Sequence, residues 1–396
     1  MPKLLQINAT ANWGSTGRIA EQIGRVAIEA GWESYIAYGR NAKKSESQLF
    51  RVGSKWDTYF HVLISRLFDK AGLGSIQATR RLIDKIDEIN PDVVHLHNIH
   101  GYYVNYKLLL KYLRGKDLKV VWTFHDCWAF TGHCAHFVTA DCNKWMIQCH
   151  DCQLKCSYPK SLYADNSKGN YLLKKSLCSG LKLTVVAVSA WMNDLVRLSF
   201  LQDKQVEVIH NGVDLDVFKP SFSVEHDGFN VLAVSNIWNE EKGFDDIVIL
   251  RSLLDESVGI TVIGLTPEQI KKLPRGIKGM QRTSSVQELV EAYSAADVLV
   301  NPTYADTFPT VNLEALACGT PVITYNTGGS PEAIDEQTGI VVEQGDVKAL
   351  AEAVLRMREN PLSSHACRAR AEEHFDKDKC FKKYIELYET LLNKSK

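Results

Sequence analysis

Two α/β domains, each built on a doubly wound parallel (Rossmann-like) sheet and facing one another across a cleft, are predicted by three features of the sequence. Short β-rich runs alternate with helical patterns along nearly the whole chain. Most of those runs are continuously apolar, as strands buried on both faces of a parallel sheet are. The chain has 396 residues, more than the roughly 250–300 that one hydrophobic core usually holds.

In chain order, strands are expected at Leu4–Ala9, Ser34–Tyr38, Val93–His97, Val120–His125 and Leu183–Ser189, then at Val231–Ser235, Ile260–Ile263, Val298–Asn301 and Val322–Tyr325. Helical stretches include Gly17–Glu29, Ile76–Glu88, Ser285–Ala296 and Val347–Glu359, the third opening with the capping-box pattern Ser285-Val286-Gln287-Glu288. The domain boundary is expected after HNGVDLDVF, where Lys219-Pro220-Ser221 runs into the polar stretch Ser223–Gly228. This divides the chain into residues 1–219, residues 220–375 and a terminal helical segment, 376–396. In that segment Phe381, Tyr384, Ile385, Leu387, Tyr388, Leu391 and Leu392 recur at helical spacing, so the helix needs a surface to cover. Ligands of open α/β sheets sit beyond the carboxyl ends of the strands, which makes the cleft the expected site.

Composition narrows the function classes. Hydrophobic residues are 45% and charged residues 23%, typical of a folded globular chain. Lys plus Arg (46) and Asp plus Glu (47) nearly cancel, leaving no global basic field for a nucleic-acid backbone; any phosphate must be held locally. The start, Met1-Pro2-Lys3-Leu4, reads as a strand and not as a signal peptide, and no apolar run is long enough to span a membrane. With ten cysteines and no export signal, a reducing cytoplasm is expected, with peripheral contact at the inner membrane face as an addition considered below.

Three local patterns carry chemistry. Gly14 and Gly17, where the first strand turns into a helix expected to open at Arg18, let backbone amides approach a ligand; the plainer reading is a tight turn. Asp306 and Glu314 lie eight positions apart, Glu314 on a helix expected to begin near Thr310, so the amides of Thr310 and Val311 form an anion site. A carboxylate near such a site can accept hydrogen bonds from a ribose diol; alternatively Asp306 caps the helix and Glu314 faces solvent.

The stretches VIHNGVDLDVFKP, EEKGFDDIV, AYSAADVLVNPT, TFPTVNLEALACGTPVIT and TGGSPEAI, in that order, resemble the family 4 retaining glycosyltransferases of the GT-B fold, of the kind found in bacterial surface-polysaccharide biosynthesis. The N-terminal half resembles them less sharply, through its glycine turn, DVVHLHN and TFHD. The resemblance implies an acceptor-side N-terminal domain, a donor-binding C-terminal domain and a last helix that packs back on the first. It implies a hexosyltransferase-type enzyme that moves a sugar, with retention, from a nucleotide diphosphate sugar to a hydroxyl of a saccharide or lipid-linked saccharide acceptor. The pathway it suggests is assembly of capsule, exopolysaccharide or lipopolysaccharide.

Position by position, the resemblance gives Lys242 and Gly14 the donor diphosphate, Glu314 the ribose, and His125 a place near the transferring sugar. Asp306 stands where the family has a longer glutamate that contacts the donor sugar. The arginine usual before the lysine is absent from Val234–Lys242, and Arg282 is one candidate to replace it. No Asp-x-Asp metal loop stands in the right setting, so no catalytic metal is expected. A nucleotide-sugar epimerase on the same fold, or a zinc-dependent binding module, are the alternatives.

Six of the ten cysteines fall between Cys127 and Cys156, interleaved with His133, His136 and His150. Cys134, Cys142, Cys149 and Cys152 are candidate ligands of a structural zinc that would order a loop otherwise short of apolar surface; buried free thiols or a disulfide are the alternatives. Finally, Trp56, Tyr59, Phe60, Leu63, Ile64, Leu67 and Phe68, with Lys55, Arg66 and Lys70 nearby, form a stripe that fits either a membrane surface or a core.

Overall fold

In the computed structural model residues 1–221 and 228–394 are described; of the expected linker Ser223–Gly228, only Gly228 lies within the described residues. The chain forms two compact units, Met1–His210 with Phe381–Lys396, and Asn211–Cys380.

The first unit is a seven-stranded sheet of β1 (Lys3–Asn8), β2 (Glu33–Tyr38), β3 (Gln48–Arg51), β4 (Val93–Leu96), β5 (Lys119–Phe124), β6 (Leu183–Ala187) and β7 (Gln205–Val208), in the order β3-β2-β1-β4-β5-β6-β7. All its pairings are parallel. The second unit holds β8 (Phe229–Val234), β9 (Val258–Ile263), β10 (Ile277–Met280), β11 (Val298–Asn301), β12 (Val322–Tyr325) and β13 (Gly339–Val342), in the order β10-β9-β8-β11-β12-β13 and again parallel. The winding direction reverses between β1 and β4 in one sheet and between β8 and β11 in the other, and crevices for ligands open at such switch points. The central strands are buried along their length, β4 and β11 at every residue.

The units divide at His210–Asn211 and not after 219. Val213 bridges Asp376, and Arg368 donates to the carbonyls of Leu215 and Phe218, so residues 211–219 are tied to the second unit. The terminal helix spans Lys377–Asn393. Its Phe381, Tyr384, Ile385, Leu387 and Tyr388 are buried against Leu4, Ile23, Val93, Val121 and Val186 of the first unit.

Two local expectations change. The helix after β1 runs Gly14–Glu29, opening at the first glycine of the turn instead of at Arg18. The capping box at Ser285 is half formed: Ser285 accepts from the Glu288 amide, whereas the Glu288 carboxylate turns to Ser284. The cysteine segment also differs from an apolar-poor loop. Trp128, Phe130, Phe137 and Trp145 belong to the core of the first unit, with the Phe137 and Trp145 rings stacked at 4.9 Å. The aromatic stripe on the helix Lys55–Phe68 is not core: Trp56, Tyr59 and Phe60 are 73%, 65% and 63% exposed. No helix among the described residues is long and apolar enough to cross a membrane.

Candidate active site

In the second unit three loops leave the carboxyl ends of neighbouring strands and lock backbone to backbone. Gly243, at φ +69°, ends the turn after β8; a Cβ there would lie 2.1 Å from the Pro302 carbonyl in the loop after β11. Gly328, at φ +58° in the loop after β12, sits so that a Cβ would fall 1.8 Å from the Asp306 carbonyl. Only glycine permits both the left-handed backbone and such approach. The Tyr304 amide donates to the Glu241 carbonyl at 2.8 Å, closing the first two loops together.

Lys242 and Asp306 are held in this junction. Lys242 Nζ donates to Asp306 Oδ2 at 2.7 Å and to the Ala305 carbonyl at 3.1 Å, and both side chains remain partly open to solvent. Asp306 Oδ1 accepts from the Phe308 amide at 3.3 Å. Asp306 therefore shapes the loop ahead of the helix and does not cap it. The helix is Thr310–Ala317 and its N-cap is Pro309, whose side chain offers no capping hydrogen bond, so the amides of the first turn are not taken up by a cap residue. Thr310 and Glu314 are four positions apart and half-buried, hence on one face.

Glu314 is not simply solvated. Tyr293 donates to its Oε2 at 2.9 Å, and burial together with the Glu314 charge pushes the tyrosine hydroxyl well up, so it stays a donor. Beneath the helix runs a buried polar network. Asn301 Nδ2 donates to Asn312 Oδ1 at 2.8 Å, Asn312 Nδ2 reaches Ser330 Oγ at 3.0 Å, and Ser330 meets Thr324 Oγ1 at 2.6 Å. These groups fix the helix to β11 and β12. Arg282 is exposed in the loop that follows β10.

In the first unit, Gly14 follows β1 at φ +67°, and His97 and His125 follow the adjacent β4 and β5. Gln6 Nε2 donates to the Ala20 carbonyl at 2.8 Å, which turns Gln6 Oε1 toward His97 Nε2 at 3.0 Å. His97 must then carry its proton on Nε2, and its Nδ1 accepts from His125 Nε2 at 3.0 Å. His125 is thereby set with Nε2 protonated and Nδ1 as its acceptor nitrogen. Burial first, then the neighbouring His100, brings the His125 pKa down to about 4 against the pull of Asp126, so the ring is neutral near pH 7. Asp126 itself accepts from His100 Nε2 at 2.9 Å and from the Trp128 amide; burial opposes its ionisation, but His100 holds it at about 2.

Lys242, Asp306 and the opening of the Glu314 helix are thus brought together within the second unit, and Gly14 and His125 lie at the strand ends of the first. Sequence reasoning missed Tyr293, the Asn301–Asn312–Ser330 network, and the Gln6–His97 pair behind His125. Two doubly wound parallel sheets in one chain, each with loops gathered at its switch point, are the architecture of the GT-B class. The Glycosyltransferase Family 4 profile matches residues 16–217 and that of "Glycosyl transferases group 1" residues 228–360; the chain belongs to Glycosyltransferase Family 4. It is 22% identical over 88% of its length, and 89% of the relative's, to WcaC of Escherichia coli (strain K12), named as a colanic acid biosynthesis glycosyl transferase. Its fold is similar to sucrose-phosphate synthase from Thermosynechococcus elongatus (TM-score 0.76, 18% identity, 99% of this chain and 100% of that one). It is also similar to Anabaena Alr3699/HepE in complex with UDP-glucose (TM-score 0.65, 15% identity, 98% and 99% covered).

Proposed function

We propose that the protein transfers a hexose, with retention, from a nucleotide diphosphate sugar to a hydroxyl of a saccharide acceptor in surface-polysaccharide assembly. The observation that carries this reading is Lys242 held on Asp306 immediately ahead of the uncapped first turn of the Glu314 helix. When the sugar–phosphate bond breaks, its electron pair leaves on the diphosphate. The Lys242 ammonium and the amides of Thr310 and Val311 are positioned to take up that charge. Glu314, oriented by Tyr293, accepts from the ribose diol. Asp306 keeps Lys242 in place and offers its carboxylate to the sugar, and His125 Nδ1 accepts from a sugar hydroxyl. The Gly14 turn is assigned to the diphosphate. The HepE complex with UDP-glucose supports a nucleotide-sugar donor on this fold, and the naming of WcaC supports the pathway.

The acceptor is lipid-linked in this reading. The exposed Trp56, Tyr59, Phe60, Leu63 and Phe68 adjoin Leu162 and Tyr163, also exposed, because the Leu162 amide donates to the Arg66 carbonyl at 2.7 Å. With Lys55, Arg66, Lys70 and Lys160 around it, the patch fits an anionic bilayer surface.

Donor binding is the direct test. A nucleotide diphosphate at a hundred times its Kd stabilises the fold by about 2.7 kcal/mol, read as a raised Tm. Glu314→Ala should abolish the shift; a wild-type chain that no nucleotide diphosphate stabilises would refute the reading. Flotation with anionic vesicles checks the patch: Trp56→Ser with Phe60→Ser should leave the chain in the unbound fraction.

A further inference from the structure

The cysteine segment takes no part in the chemistry above, yet four of its thiols line the same cavity. Cys134, Cys142, Cys149 and Cys152 line one small cavity of about 20 Å³, together with His133 and Trp145. That is room for a single water-sized body. All four thiols are free of disulfides. The Gly132 amide donates to Cys149 Sγ at 3.2 Å, and Gly132 has no space for a side chain, since a Cβ would lie 2.2 Å from the Ser167 carbonyl and 2.7 Å from Cys149 Cβ. Backbone N–H groups aimed at cysteine sulfur are the contacts that metal-held thiolates collect.

A second observation is independent of the thiols. His133 is buried, its Nδ1 lies 2.5 Å from Asp69 Oδ1, and its fully buried Nε2 makes no hydrogen bond of good geometry among the described residues. Burying such a nitrogen unmatched forfeits its bond to water with nothing in return. A histidine clamped by a carboxylate on one nitrogen, with the other in a thiol-lined cavity, is the arrangement that surrounds metal centres. Lys174 Nζ, buried beside the cavity, donates to the carbonyls of Trp128 and Thr131 at 2.6 and 2.9 Å and so ties the segment to the helix that carries it.

We propose that Cys134, Cys142, Cys149 and Cys152 bind a structural zinc ion as four thiolates, with His133 and the Gly132 amide bonding to the sulfur shell. Soft sulfur donors in a tetrahedral set select zinc, and four protein ligands leave no open position for catalysis. Four S–H bonds break, four Zn–S bonds form, and the protons pass to solvent. Among the described residues no three His, Cys, Asp or Glu side chains are already drawn around one point. Metal entry therefore requires the four thiols that line the cavity to turn inward toward one point. The segment begins directly after His125 and Asp126, so the ion would clamp the chain that leaves that strand end.

The test uses the full chain purified from zinc-supplemented medium. Elemental analysis should find about one zinc per chain, and cobalt exchange should give thiolate-to-cobalt charge transfer with intense tetrahedral visible bands. Cys142→Ser and Cys149→Ser should cut bound zinc more than tenfold, while Cys156→Ser, at an exposed thiol outside the cavity lining, should leave it unchanged. A folded wild-type chain that emerges without zinc, shows no cobalt charge transfer and keeps its Tm in chelator would overturn the proposal. If the serine variants do not fold, the wild-type metal content and cobalt spectrum decide alone.

Discussion

Glu314 carries one contact through which its proposed role in donor binding can be told apart from a role in the chemistry. Its Oε2 receives the Tyr293 hydroxyl, a buried group that stays protonated far above neutral pH. A hydrogen bond to a charged acceptor contributes roughly 1.5–3 kcal/mol. Tyr293→Phe removes that bond and little volume. We expect donor Kd to weaken about tenfold while kcat changes little, because under the proposed function Tyr293 orients the residue assigned to the ribose and does not touch the breaking bond; calorimetric titration and steady-state kinetics separate the two. A fall in kcat with Kd unmoved would place Glu314 elsewhere in the reaction. Lys242, Asp306 and Glu314 were legible in the sequence because each lies in a short local pattern. Tyr293 was not, since its partner is 21 positions away and a tyrosine in a helix reads equally well as core. The same holds for Asn312 and Ser330, 18 positions apart, whose pairing exists only once β11 and β12 are neighbours.

Among elements, the strands that sequence reasoning missed share one property. They are β3, β7, β10 and β13, the edges of the two sheets, each four residues long and, in β3, β7 and β10, without a single buried residue. A continuous apolar run marks a strand covered on both faces, and an edge strand has no need of one. The terminal helix was legible for the opposite reason, because its apolar stripe is long and periodic. That stripe also predicts its energetics. Phe381 is 2% exposed and packs with Ile23, Val93 and Val121 in one cluster. Removing a buried phenylalanine ring costs about 3–5 kcal/mol, so Phe381→Ala should lower the urea midpoint strongly. Faster amide exchange should appear in β1, β4 and the helix itself. Exchange confined to the helix would mean that it adds little to the sheet it covers.

At the scale of the whole molecule the two units differ in how they carry titratable groups. Four histidines held below their ordinary pKa all belong to the first unit: His61 and His125 at about 4, and His95 and His97 well below the usual imidazole range, burial being the main cause in each. Their neutral forms are built into the structure. His61 Nε2 accepts from the amides of Gly72 and Gly74 at 2.9 and 3.2 Å, and the terminal helix reaches the sheet through Tyr388 and His95 Nδ1 at 2.6 Å. An unfolded chain takes up these protons below about pH 6.5, whereas the folded one resists down to about 4. The unfolded state therefore binds more protons across that window, and stability falls as pH falls. His133 works in the other direction: burial pulls its pKa down, but Asp69 outweighs burial and leaves it raised, and one group opposes four. The expected outcome is that acidification from pH 7 to 5 destabilises the first unit selectively. Amide exchange in β1, β4 and β5, corrected for intrinsic rates, should accelerate relative to β8, β11 and β12, and His61→Gln should flatten part of the pH dependence by removing one proton uptake site. Equal acceleration in both sheets would show that the histidines do not govern the acid limit of this fold.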